Sequence, residues 1–161
     1  MNNPITKLNE MVNGIKFSML TTVDPDGSLS SRPMVCQKTE FDGNFWFFTH
    51  KTSGKILSLM KDQHVGLTYT SSTEYRVVSV SGRAEIHEDK AKAQEIWNSN
   101  HEEWFPNGLE DPDLVLIKVR GETAEYWDSN SSSVIPLLSI AKALLSQQPV
   151  MSVDHERLNL N

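Results

Sequence analysis

The sequence predicts a mainly β protein, built as a small antiparallel barrel of six strands with helices at its periphery. Three observations support this class. Short segments rich in apolar and aromatic residues recur along the chain, and tight turns separate most of them; such hairpin spacing favours antiparallel pairing. The length of 161 residues is that of a single domain, 1–161. A barrel of this size fills its interior with side chains, so a ligand is expected outside it or between two copies.

The first half of the chain predicts a helix followed by strands joined through turns. Apolar residues at helical spacing between Ile5 and Ile15 predict the helix. Asp24-Pro25-Asp26-Gly27 and Asp42-Gly43 are strong turn signals, because Pro presets one turn dihedral and Gly accepts a positive φ. The predicted elements are a helix over 5–15, strands over 17–23, 28–41 with a bend at Pro33, and 45–49, and a helix over 53–61.

The second half continues the series of strands and adds two helices. The stretch 89–97 is rich in Ala, Lys, Glu and Gln, which favour a helix. The predicted elements are strands over 65–70, 75–86, 114–119 and 123–127, and helices over 89–97 and 134–145. The core is expected over about 5–145, and the polar segment of about 147–161 is expected to lie outside it as a tail.

Charge and composition exclude several classes of function. The formal net charge of −6 combines 15 basic with 21 acidic residues without a Lys/Arg cluster, so DNA and RNA are not expected partners. No apolar run approaches the ~20 residues that span a membrane, and the first residues lack a secretory signal, so a cytoplasmic location is expected. The single cysteine, Cys36, excludes an internal disulfide and a cysteine-rich zinc site, and no metal is expected.

One group of residues predicts an anion site. Ser53-Gly54-Lys55 lies where an aromatic strand ends and a helix begins, and a helix N-terminus favours an anion. Thr49 and Ser53 add hydroxyl donors, and Arg32 on a neighbouring strand is suited to bind a phosphate bidentately. The alternative is an ordinary serine helix cap beside two solvated basic residues.

Several short motifs follow one another in a specific order over about residues 5–145. They are Leu20-Thr21-Thr22-Val23, Ser31-Arg32-Pro33-Met34, Phe47-Phe48-Thr49, Thr52-Ser53-Gly54-Lys55, Val80-Ser81-Gly82-Arg83-Ala84-Glu85, Trp104-Phe105-Pro106-Asn107-Gly108, Asp111-Pro112 and Ala124-Glu125-Tyr126-Trp127-Asp128. With these motifs the chain resembles the FMN-binding split-barrel superfamily related to pyridoxamine 5′-phosphate oxidase. It resembles the bacterial general-stress-protein branch most closely.

The resemblance implies a six-stranded antiparallel split barrel that forms a homodimer, with FMN bound at the subunit interface. It also implies the cofactor-binding residues. Arg32, Ser53 and Lys55 correspond to the residues at the FMN phosphate, and Arg32 also to a contact with the ribityl chain. The residues expected beside the flavin ring are Pro33, Met34, Val35, Phe48, Thr49 and Trp127, the last contributed by the second subunit.

The chain departs from the oxidase pattern at the substrate-binding segment. The Arg-x-His-x-Arg motif of the oxidase is absent, and Trp127 is followed by Asp128-Ser129-Asn130-Ser131. Gly54 and Val77 also replace a basic residue and a glutamine of the oxidase. The expected function is therefore that of an FMN-dependent general-stress oxidoreductase or flavin-reductase-like protein that uses NAD(P)H, and not of a true oxidase.

Several alternatives stay open at this point. The first is a non-enzymatic protein that stores or senses flavin, although the lack of an evident catalytic acid–base pair suits hydride or electron transfer at a flavin. A deazaflavin or haem on the same fold is another, and an oligonucleotide-binding barrel is disfavoured by the acidic charge. Trp97, Trp104 and Phe105 are candidates for the dimer interface; packing within one subunit is the alternative for each.

Overall fold

The computed structural model describes residues 3–37, 42–129 and 153–161. Strands make up most of this part of the chain, and short helices lie between some of them. The elements in chain order are α1 (Pro4–Val12), β1 (Phe17–Val23), β2 (Leu29–Val35), β3 (Asn44–His50), α2 (Gly54–Lys61), β4 (His64–Ser71), β5 (Arg76–His87), α3 (Lys90–Ile96), two 3-10 turns (Ser99–His101 and Gly108–Glu110), β6 (Leu114–Ser129) and β7 (Val153–Asn159).

All strand pairs described are antiparallel and belong to one sheet with the order β2-β1-β4-β5-β6-β3. The 16-residue strand β6 organises this sheet. One edge of β6 pairs with β5, while its other edge pairs first with β3 and then with β7. The two ends of the order, β2 and β3, approach each other, so the sheet curls into a split barrel.

Alternating side chains of the strands fill the barrel. On β3, for example, Phe45, Phe47 and Thr49 are buried, whereas the intervening residues are partly exposed. Burial of a large apolar side chain contributes about 1.5–3 kcal/mol. The fully enclosed part of the core includes Leu8, Leu20, Phe47, Leu67, Val78, Val80, Ile117 and Val119.

Helix α1 closes one side of the barrel. The Asn3 side chain accepts a hydrogen bond from the Ile5 backbone N–H at 2.9 Å and caps the first turn. At the other end, the Arg76 guanidinium donates to the backbone oxygens of Glu10 and Met11 at 3.2 and 3.3 Å. Arg76 also forms an ion pair with Asp128 of β6 at 3.4 Å, so one side chain joins α1, β5 and β6.

The predicted fold class is confirmed, and the described residues form seven strands where six were predicted. Two of the predicted strands, 114–119 and 123–127, are one continuous strand, β6. The segment predicted as a polar tail contains β7, and Leu158 of β7 is 6% exposed within the main core. The prediction of a tail was wrong because the few apolar residues of β7 are a weak sequence signal for a strand. The strand forms because β6 supplies hydrogen-bond partners for its backbone.

The predicted second strand, 28–41, differs in its bounds, and Pro33 does not bend it away from its partner. The second strand ends at Val35, and Pro33 keeps its register opposite Met19 of β1. Pro33 is tolerated there because β2 is an edge strand, where a missing N–H breaks no ladder bond. The predicted helix over 134–145 lies outside the described residues. In the part of the chain that is described, no helix has both the length and the apolar character to cross a membrane.

Gly82 generates a prediction about stability. A Cβ atom at Gly82 would overlap the carbonyl oxygen of Arg120 and lie 3.1 Å from the Gly121 Cα. Backbone cannot move aside as a flexible side chain can, so Gly82→Ala should lower the free energy of unfolding by about 1–3 kcal/mol. Gly66→Ala on β4 is the matched control, because its Cβ would meet ordinary contacts at 3.9 Å. Chemical denaturation of both variants checks this, and equal losses would contradict it.

Candidate functional site

Two adjoining clefts lie where β2, β3 and the start of α2 meet. The first, which we call the α2 cleft, measures about 710 Å³ and is lined by residues that include Asp24, Ser30, Arg32, Ser53, Lys55 and Ser58. The second, the aromatic cleft, measures about 320 Å³ and is lined by residues that include Phe17, Pro33, Val35, Phe48, His101 and Phe105. Lys55 lines both clefts, so a single elongated ligand could extend from one into the other.

Lys55 is held at the start of α2 by two hydroxyl groups. Its Nζ donates to Thr49 Oγ1 at 2.9 Å and to Ser53 Oγ at 2.7 Å. Ser53 occupies the N-cap position of α2, yet its side chain makes no capping hydrogen bond. The ordinary serine cap considered as an alternative is therefore not formed. An ammonium group has three N–H donors, so Lys55 retains one for a ligand.

Arg32 reaches the same cleft from β2. Its Nη1 donates to Thr22 Oγ1 at 2.8 Å and to the backbone oxygen of Leu20 at 3.3 Å. Leu20 is the residue opposite Arg32 in the β1–β2 register. These cross-strand bonds fix the guanidinium at the end of the barrel that faces α2.

The two cations raise the electrostatic potential of the α2 cleft. Burial, and then the positive charge of Arg32, lower the pKa of Lys55. Burial also lowers the pKa of Arg32, and the charge of Asp24 opposes this. Two partly dehydrated like charges favour a bound anion, because an anion relieves both penalties.

Asp24 lines the α2 cleft together with the two cations. Its carboxylate accepts hydrogen bonds from Ser30 Oγ and, at 2.8 Å, from Ser58 Oγ of α2. These two bonds, more than the charge of Arg32, lower the pKa of Asp24. The β1–β2 turn is thereby tied to α2, and the cleft between them has a defined width.

Aromatic rings in tilted and edge-to-face contact form part of the aromatic cleft. The Phe48 ring lies 4.5 Å from that of His101, 5.4 Å from Trp97 and 6.3 Å from Phe105, measured between centroids. His101 is 3% exposed, and burial lowers its pKa. Trp97 and Phe105 thus pack within one chain, as the alternative to their interface role proposed, whereas Trp104 remains 62% exposed.

A second histidine lines the aromatic cleft, and its partner could not be predicted from the sequence. His50 Nδ1 lies 3.2 Å from Asp113 Oδ2, and its ring stacks on Phe105 at 4.3 Å with an interplanar angle of 29°. Burial would raise the pKa of Asp113, but hydrogen bonds from Thr52 and the neighbouring His50 outweigh it and lower the pKa. Asp113 is 63 residues from His50 (113 − 50), so no local motif connects them.

The structure brings together all the predicted site residues except Trp127. Arg32, Ser53 and Lys55 line the α2 cleft. Trp127 lies on β6 opposite Val77, and β5, β4 and β1 separate it from β2. The predicted residues that line the aromatic cleft are Pro33, Met34, Val35, Phe48, Thr49 and Lys55.

Comparisons with known proteins bear on the family. The model of the family described as "Pyridoxamine 5′-phosphate oxidase like" matches residues 3–150 of the chain. The match spans nearly the whole sequence. The chain belongs to this family.

Individual members are similar along most of their length. Protein bli-3 of Neurospora crassa is 31% identical over 159 residues, which cover 92% of this chain and 76% of the fungal protein. The crystal structure of the general stress protein 26 of Bacillus anthracis matches with a TM-score of 0.65 and 27% identity, over 76% of this chain and 90% of that one.

A third similar structure is that of the general stress FMN/FAD binding protein of Xanthomonas citri. It matches with a TM-score of 0.69 and 27% identity, over 82% of this chain and 93% of that one. Together these matches confirm the resemblance to the family and its general-stress members that the sequence motifs indicated.

The depressed pKa of Lys55 predicts a pH dependence of stability. At pH values between the lowered pKa of Lys55 and its ordinary value of 10.5, the folded protein binds fewer protons at Lys55 than the unfolded chain does. Over that interval stability therefore rises with pH through this group. The free energy of unfolding of the ligand-free protein, relative to that of Lys55→Met, should increase as the pH rises toward 10.5. Denaturation at several pH values measures it, with Lys90→Met, at an exposed lysine of α3, as the control. A difference independent of pH would contradict the assignment.

Proposed function

We propose that the protein binds FMN across the two clefts and acts as an oxidoreductase or flavin reductase that uses NAD(P)H, in the manner of a general-stress protein and not of a pyridoxamine phosphate oxidase. The observation that carries the proposal is the position of Lys55, which lines a cleft with two cations and a cleft walled by rings. FMN has the corresponding parts, a phosphate and a planar ring system joined by a ribityl chain.

The α2 cleft suits the phosphate. Lys55 and Arg32 supply two positive charges, and both have lowered pKa values owing first to burial. The N-terminus of the eight-residue helix α2 adds its dipole and backbone N–H groups. A phosphate would restore favourable electrostatics to both cations, so the residues present fit this end of the cofactor.

The aromatic cleft suits the ring. Pro33, Met34 and Val35 of β2 line it together with Phe48 of β3. Binding sites for planar ligands are mostly apolar with a few polar groups that fix orientation, and here Thr49 and Gln37 supply such groups. When bound, FMN would supply the electron-transfer chemistry, while the chain would bind the ring, orient it and limit the access of water.

A homodimer is part of the proposal. Apolar side chains at the rim of the aromatic cleft are exposed, with Phe17 57% and Trp104 62% accessible, and Met19 on the adjoining face of β1 is 40% accessible. In its own chain Trp127 lies on the part of β6 that pairs with β7, beyond the part that pairs with β3 of the cleft. A second copy that covered this rim would bury the apolar groups and could bring its Trp127 to the ring.

The dimer predicts a mass in solution of twice the 18.2 kDa chain. Burial of exposed apolar side chains between two copies drives the association. Light scattering at micromolar concentration measures the mass, and a stable monomer there would refute the shared site. Phe17→Glu should shift the mass toward that of the monomer, because a charge would be buried at the contact.

FMN binding predicts a differential effect of Lys55→Ala. Loss of a charged hydrogen bond costs about 1.5–3 kcal/mol, so FMN should bind roughly 10- to 100-fold more weakly. Arg32→Ala should weaken binding at least as much, because it also loses a bidentate contact. Riboflavin lacks the phosphate, and its affinity should stay within about twofold of that of the parent protein.

Fluorescence quenching titrations measure these affinities, and Lys90→Ala is the control for loss of one exposed positive charge. FMN affinity in Lys55→Ala within about twofold of the parent would remove the phosphate assignment. An unchanged absorption spectrum of the parent protein on addition of FMN would remove the flavin proposal as a whole.

Substrate range provides a further prediction. Asp128, in the segment where the oxidase has its substrate-binding motif, is 7% exposed and paired with Arg76. It therefore serves the fold, and pyridoxamine 5′-phosphate should not be oxidised at a significant rate by the FMN-loaded protein.

NAD(P)H should reduce the bound FMN in stopped-flow traces. If NAD(P)H does not reduce the bound FMN over minutes, a flavin-storing or flavin-sensing protein is favoured. Turnover of pyridoxamine 5′-phosphate at the rate of a dedicated oxidase would contradict the prediction about that substrate.

A further inference from the structure

The proposed function leaves one titratable pair in the aromatic cleft without a role, His50 with Asp113. Asp113 is fixed independently of the histidine. Its carboxylate accepts hydrogen bonds from the Thr52 backbone N–H at 3.2 Å and from Thr52 Oγ1 at 2.9 Å. Its backbone oxygen also accepts a bond from the Lys51 N–H at 2.8 Å. The connection before β6 is thereby bound to the end of β3, and the carboxylate has a set position.

His50 is oriented by this carboxylate. Its Nδ1 lies 3.2 Å from Asp113 Oδ2, and a carboxylate that faces Nδ1 favours the tautomer with the proton on that nitrogen. The ring is further held by stacking on Phe105. Among the described residues no hydrogen bond to Nε2 is found, and the His50 side chain is 41% exposed at the cleft. Nε2 is therefore the atom of this pair that can accept a proton from solvent.

The other charged and titratable groups at this cleft are less suited to gain a proton. Lys55 of α2 is a cation with two hydroxyl partners, and Arg32 lies in the adjoining α2 cleft. His101 is 3% exposed, and its Nδ1 accepts a hydrogen bond from the Asn98 N–H at 3.1 Å. Asp113 is already hydrogen-bonded as a carboxylate by Thr52.

We propose that His50, oriented by Asp113, takes up a proton from solvent at Nε2 when a flavin bound in the aromatic cleft is reduced by two electrons. The inference rests on the proposed function. An external reductant, dithionite in the test below, supplies both electrons. The ring gains these electrons and one proton and so acquires one negative charge, and His50 gains the second proton and one positive charge. Two electrons and two protons are thus taken up together, and the imidazolium offsets the charge on the ring.

The test is the midpoint potential of the FMN-loaded protein as a function of pH. Uptake of two protons with two electrons gives a slope of about 59 mV per pH unit, and uptake of one proton about 30 mV. The parent protein should show the steeper slope over at least about one pH unit between about pH 6.5 and 8.5, an interval that begins near the ordinary histidine pKa of about 6.5. His50→Gln should show the shallower slope throughout, and a potential lower by about 30 mV at the acidic end, which is a tenfold change in the preference for the reduced ring.

A matched control is present in the chain. His64 lies with its Nδ1 2.7 Å from Asp62 Oδ1, on β4 and away from both clefts. His64→Gln should keep the slope of the parent protein, whereas Asp113→Asn should reduce the pH interval of the steep slope. The inference would be overturned if His50→Gln had the same slope as the parent protein. It would also be overturned if His101→Gln lost the steep slope while His50→Gln kept it.

Proton NMR provides a second readout that does not depend on the potential. The His50 ring signal, identified by its absence in His50→Gln, should titrate at a higher pH in the reduced than in the oxidised FMN-loaded protein. Equal titration in both states would overturn the inference and leave FMN binding intact. Failure of FMN to change the absorption spectrum on mixing would instead refute the proposed function, and this inference with it.

Discussion

The close approach of β5 and β6 at Gly82 is the constraint on which the rest of the barrel depends. The register between these strands shifts there, so that Ser81 pairs with Thr123 while Gly82 pairs with Gly121. The extra residue lets one 16-residue strand change direction without leaving its partner. The other edge of β6 can then serve two strands, β3 along its first part and β7 along its second. A side chain at Gly82 would separate the two backbones at the point where this change occurs.

The position of the site follows from this arrangement. Since β3 occupies the first part of β6, it lies at one end of the strand order, and β2 lies at the other. Where the two ends meet, β2 contributes Arg32 and the residues after it, and β3 contributes Thr49 and His50. Helix α2 begins four residues after the end of β3 (54 − 50), which places Lys55 between the two clefts. The clefts are therefore a consequence of how the barrel closes, with no separate domain to form them.

The charge distribution agrees with the proposed ligand. The chain as a whole is acidic, with a formal charge of −6, yet two cations with lowered pKa values lie together at the α2 cleft. Proteins arrange such local departures from the net charge at functional sites, where the cost in stability is offset by ligand binding. Asp24 limits that cost in stability. Its carboxylate lines the same cleft, and its negative charge raises the pKa of Arg32. Membership of the family and these local features support the same proposal from independent directions.

The sequence by itself determined the class of fold, most of the strands and the grouping of Arg32, Ser53 and Lys55 at one cleft. Turn signals and alternating apolar residues are local properties, and Ser53-Gly54-Lys55 marks a strand-to-helix junction through its own order. Only the tertiary structure decided the rest, for reasons of distance along the chain and of backbone pairing. β7 appeared polar because two or three apolar side chains are a weak signal until β6 provides hydrogen-bond partners. The His50–Asp113 pair joins residues 63 positions apart (113 − 50), and Trp127 lies on the part of β6 that pairs with β7, beyond the part that pairs with β3. Contacts of this kind depend on how the sheet curls, which no local pattern specifies.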